Sequence, residues 1–119
     1  MPIPADETIN YLFGDSLDQV RFKWQDEAGN AKSLVGFTAK MQVKVADFTG
    51  NALLTLTNVT GLTIIASSGF VDIDALATTM TGGTLVAGVV YRYDLEIVNG
   101  TIKKTLGRGN FVTHQQVTT

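Results

Sequence analysis

A serine acts as a nucleophile only when a base takes its proton and an acid orients that base. One string in the chain invites that chemistry: Gly14-Asp15-Ser16-Leu17, behind the apolar Tyr11-Leu12-Phe13, with Ser16 as the nucleophile. The only histidine is His114. The set is incomplete. No catalytic residue is expected, and the string reads as a turn leading into a strand.

The same four residues resemble the nucleophile block of GDSL-type esterases. That family places its base and acid in a DxxH block near the C-terminus, on an α/β sheet and a longer chain; the resemblance would imply an acid at position 111 before His114, but this sequence has Phe111 there and lacks the helices. Among the other groups with chemistry, Asp72, Asp74, Asp94 and Glu96 alternate with apolar residues and would be hard oxygen ligands for calcium if their strands paired. No EF-hand spacing, HExxH pair or histidine cluster accompanies them, so they read as a solvated face and no metal is expected.

Trp24, Tyr91 and Tyr93 could form a platform for sugar, yet each falls on the apolar side of its own strand, where core packing is expected. Gly82-Gly83 and Gly107-Arg108-Gly109 lack the spacing and following helix of a phosphate-cradling loop, and no cofactor is expected. His114, beside Gln115 and Gln116, reads as an exposed polar residue. Asn58-Val59-Thr60 and Asn99-Gly100-Thr101 match the glycosylation acceptor pattern, but turn chemistry accounts for both asparagines.

The elements that would carry these residues are strands. Residues 17–24 alternate, with Val20, Phe22 and Trp24 on one side and Arg21 and Lys23 on the other. Residues 37–45 do so more clearly: Phe37, Ala39, Met41, Val43 and Val45 are interleaved with Lys40, Gln42 and Lys44. Turn residues at 26–30 and 47–51 bound these runs, and 53–58 forms a further strand through Leu54 and Leu56. Residues 62–66 and 70–74 read as a hairpin across 67–69, with Phe70 out of phase with Val71 and Ile73.

Residues 74–80 allow one helical turn at most, capped by Asp74, and 81–84 read as a link. Residues 89–98 then alternate Val89, Tyr91, Tyr93, Leu95 and Ile97 against Arg92, Asp94 and Glu96. Asn99-Gly100 signals a tight hairpin into a partner strand at 101–106. The glycines at 107 and 109 predict a bulge or bend before a last strand at 110–117.

With 119 residues there is room for one domain, and 45% hydrophobic against 17% charged residues argues for a packed globule rather than a disordered chain. The formal net charge of −2, from nine basic and eleven acidic residues, gives no footprint for a phosphate backbone, so nucleic acid is not expected as a partner. The absence of cysteine excludes disulfides and thiolate metal sites. No basic start, secretory apolar run or membrane-length segment occurs, so no membrane partner is expected and synthesis in the cytoplasm is the default. The expectation is all-β: a single Ig-like antiparallel β-sandwich of about seven or eight strands at 13–119, behind an N-terminal arm at 1–12 that orders only in an assembly.

The order of elements resembles a family. Gly14-Asp15, the aromatic strand at 20–24, the turn at 26–29, the strand at 37–45, Ser68-Gly69, the acidic-apolar arm at 70–74, the segment 88–100 and the closing 109–112 follow one another as in small phage proteins. From about Gly14 onward the chain is similar to the Ig-like N-terminal domain of phage baseplate upper proteins and related small virion proteins of tailed phages and prophages. That resemblance implies a β-sandwich that docks to other virion components, helps anchor receptor-binding fibres, and works as a trimer or ring. The implied function is a non-enzymatic virion structural protein, an oligomeric adaptor of the tail, baseplate or collar. A single domain, where baseplate proteins have more, also makes a capsid decoration subunit an expectation, and a carbohydrate-binding module is the alternative outside the virion. The expected partners are copies of the chain itself and other virion proteins, with no small-molecule substrate.

Overall fold

The alternating runs pair into two sheets that enclose one core in the computed structural model, which describes residues 5–13, 15–26, 28–45, 50–81 and 85–115. The strands are β1 (Ala5–Asp6), β2 (Ile9–Leu12), β3 (Leu17–Lys23), β4 (Thr38–Lys44), β5 (Leu54–Thr57), β6 (Leu62–Ile65), β7 (Phe70–Ala75), β8 (Val90–Asn99) and β9 (Ile102–His114). A 3-10 turn (Ala66–Ser68) and one short helix, α1 (Ala77–Thr81), are the helical elements among the described residues. The larger sheet runs β1-β9-β8-β4-β5 with β2 also on β9, and the smaller runs β3-β7-β6. This order corresponds to the A′-G-F-C-C′ and B-E-D sheets of an immunoglobulin-like sandwich.

Period-two alternation explains the packing. Ala39, Met41 and Val43 of β4 and Tyr91, Tyr93, Leu95 and Ile97 of β8 point inward and are buried, while the residues between them face solvent. From the smaller sheet, Phe22, Leu62, Val71 and Ile73 close the core, and the rings of Phe22 and Tyr93 meet across it with centroids 6.2 Å apart. Each such side chain contributes about 1.5–3 kcal/mol of burial, so the sandwich rests on its interior rather than on surface ion pairs.

The stretch expected to be a free arm is part of the sandwich where it is described. β1 and β2 lie along one edge of β9 in a continuous parallel register, Ala5 opposite Gly107 and Ile9 opposite Phe111, so the sandwich is not wholly antiparallel. Ile9 and Tyr11 enter the core, and the Tyr93 hydroxyl donates to the Glu7 carbonyl at 2.7 Å. Apolar burial and sheet hydrogen bonds join this segment to β9 and the core.

The end of the chain also differs from expectation. The runs at 101–106 and 110–117 merge into one long strand, β9, from Ile102 to His114, and residues 116–117 lie outside the described residues. β9 keeps its pairing with β8 by a bulge: Leu95 faces Gly107 and Glu96 faces Thr105, leaving Leu106 as the extra residue. The glycine at 107, read as a bulge or bend, lets the strand pass under Phe22. The hairpin loop is Gly100–Thr101, with Asn99 still paired to Ile102, one residue later than the Asn-Gly signal indicated. Asp74, expected as a helix cap, lies in β7, and α1 begins after it.

The expected hairpin of β6 and β7 is present and turns through Gly69 (φ 69°), where a Cβ would sit 2.6 Å from the Lys32 carbonyl oxygen and 2.8 Å from that of Trp24. Only glycine fits that turn. The turn residues expected at 47–49, the link at 82–84 and Gly14 lie outside the described residues.

Candidate interaction site

The chain crosses from the larger sheet to the smaller at residues 57–61, and side-chain oxygens hold that crossing. Thr57 Oγ1 accepts from the backbone N–H groups of Val59 (3.3 Å) and Thr60 (3.2 Å). Asn58 bonds to β4 twice: its N–H donates to the Ala39 carbonyl at 3.1 Å, and its Oδ1 accepts from the Ala39 N–H at 3.2 Å. Short polar side chains at such turns replace the ladder bonds that the departing strand gives up.

Two depressions meet at Asn58. One, of about 510 Å³, lies between the segment preceding β4 and the edge strand β6, where Leu34, Phe37, Leu62 and Ile64 line it together with Asn58 and Thr63. Phe37 is set in place by Trp24, whose ring meets it edge-on at 5.2 Å, and the Lys32 ammonium lies 4.8 Å above the Trp24 ring. The other, of about 290 Å³, opens on the outer face of the larger sheet between Lys40, Thr57, Glu96 and Val98.

That outer face is charged in a pattern. Pairing of β4 with β8 sets Lys44 beside Arg92 and Lys40 beside Glu96, and pairing of β8 with β9 sets Asp94 beside Arg108. Arg92 Nη1 donates to Asn110 Oδ1 at 2.7 Å, and Lys103 Nζ lies 3.5 Å from Glu96 Oε2. Burial, then the Glu96 carboxylate, push the Asp94 carboxyl above its ordinary range, against the pull of Lys44, Lys40 and Lys103.

The residues that the sequence singled out are not brought together. Ser16 is exposed just ahead of β3, and the His114 imidazole lies with Nε2 2.9 Å from Asn10 Oδ1. Phe111 is wholly in the core. Asp72 and Asp74 lie on β7 of the smaller sheet, Asp94 and Glu96 on β8 of the larger, and no group of three metal-capable side chains occurs among the described residues. Asp72 instead takes both Arg21 Nε (2.7 Å) and Nη2 (2.8 Å), with the Arg21 guanidinium 4.1 Å over the Phe70 ring.

Tyr91 and Tyr93 are in the core, leaving Trp24 the half-buried member of the aromatic trio. Arg108 extends from the sheet face rather than from a loop. What sequence reasoning missed is the junction at Asn58, read only as turn chemistry, and the charged face, whose signal was the polar residues interleaved in β4 and β8.

No protein-family model matches the chain, and no curated protein matches it. No helix among the described residues is long and apolar enough to cross a membrane.

Proposed function

We propose that this chain is a non-enzymatic docking module: an oligomeric adaptor in the tail, baseplate or collar of a tailed phage or prophage, binding copies of itself and neighbouring virion proteins such as receptor-binding fibres. The observation that carries the reading is the immunoglobulin-like strand order, reached by a chain whose succession of elements is similar to the baseplate family. Two further features support it. The groups suited to catalysis are dispersed, whereas the charged face of the larger sheet and the groove beside β6 are open. β5 and β6 also end their sheets, and edge strands are places where partners add.

Mass spectrometry of purified particles, separated into heads and tails, tests the reading. The protein is expected in the tail fraction, in a fixed ratio to a neighbouring structural protein. Recovery with heads alone makes it a decoration subunit instead, and absence from both fractions ends the virion reading.

A further inference from the structure

The outer face of the larger sheet holds Lys40, Lys44, Arg92, Lys103 and Arg108 around the central pair Asp94 and Glu96. Among the described side chains that is five basic against two acidic residues on one face, with Asp6 of β1 at the register position opposite Arg108. A chain with a small negative net charge thus places five of its nine basic residues on one sheet face. Such separation raises encounter rates with surfaces of opposite sign and disfavours like-charged ones.

The pattern narrows the partner. Two copies stacked face to face would set five cations against five, so this face does not fit a symmetric self-contact. A duplex backbone would bring phosphates onto Asp94 and Glu96, which stand between Lys40 and Lys44 on one side and Arg108 and Lys103 on the other. A folded protein surface can answer a mixed pattern point by point, which a uniform polyanion cannot. The depression beside Glu96, lined also by Lys40, Thr57 and Asn58, is large enough at about 290 Å³ for one long side chain.

We infer that this face docks an acidic protein surface carrying one central basic side chain, which enters the depression beside Glu96 and Asn58. The inference rests on the placement of charge and stands apart from the virion reading.

The test is a titration of the isotopically labelled full chain, followed by backbone amide shifts, with three probes: a short peptide of Glu and Asp around one Arg, the same peptide with that Arg replaced by Glu, and a duplex DNA. The Arg-containing peptide should move amides of β4, β8 and β9, bind more tightly than the all-acid peptide, and lose affinity as salt is added. In the Lys40→Glu/Arg108→Glu variant, with an unchanged dispersed spectrum, its affinity should fall by about tenfold or more. If that variant does not fold, Lys40→Gln and Arg108→Gln, each alone, should weaken binding in the same direction. No shift at low salt, shifts centred on another face, equal affinity in a folded variant, or tighter binding of the DNA each overturn the inference. None of these outcomes bears on whether the protein is found in particles.

Discussion

The ring of Phe22 occupies the space that a side chain on Gly107 would need: a Cβ there would lie 2.4 Å from Phe22 Cε1. One residue belongs to the smaller sheet and the other to the larger, so the contact sets how closely the sheets approach at the β9 bulge. Gly107→Ala is expected to destabilise the fold by about 1–3 kcal/mol through overpacking. Denaturant unfolding measures the loss, and combining the change with Phe22→Leu should recover part of it.

The Tyr93 hydroxyl ties β8 to the backbone of Glu7, across the end of β1. Tyr93→Phe should cost about 1 kcal/mol, with the loss concentrated at this edge. Hydrogen exchange should speed up at the amides of residues 7–12 while those of β4 and β8 change little.

Much of the sandwich was legible because one period recurs. In β4 and β8 each inward residue is apolar and each outward one polar, so strand and buried face follow together. β2 was not legible: Ile9 and Tyr11 alternate over four residues only, and their partner is β9, at the far end of the chain. The glycines at 107 and 109 did announce the bulge, but not that one strand runs on through it, which the packing of Phe22 over Gly107 allows. The charged face depends on register, because neither Lys44 nor Arg92 carries any sign in sequence that they will be neighbours.

Removing the acceptor of Asn58 should loosen the crossing between sheets. Asn58→Ala deprives the Ala39 N–H of its partner and is expected to cost about 1 kcal/mol, read from the denaturant midpoint. Asn58→Asp, which keeps an acceptor oxygen, should lose less.

Asp94 gives a pH dependence with a definite sign. Its carboxyl is raised in the folded state, by burial first and by Glu96 next, so ionising it opposes folding. That opposition is complete above the folded value and vanishes below the ordinary aspartate range. Asp94→Asn should therefore raise the melting temperature at neutral pH, and the gain should shrink as the pH falls through the raised value and disappear in acid.

Ser16→Ala should change neither stability nor ester hydrolysis, because the imidazole of His114 is directed to Asn10. Assay with an activated ester is expected to stay at the buffer rate for both proteins. Hydrolysis by the parent that the variant loses would place a nucleophile at Ser16.

The parallel run of β1 and β2 against β9 bears on mechanical load. The segment entering the domain and the segment leaving it travel side by side in the same direction, from Ala5 beside Gly107 to Leu12 beside His114. Tension between the two ends pulls these strands in opposite senses along their common axis. The hydrogen bonds joining them are then strained together, in shear, rather than opened one after another like a zip.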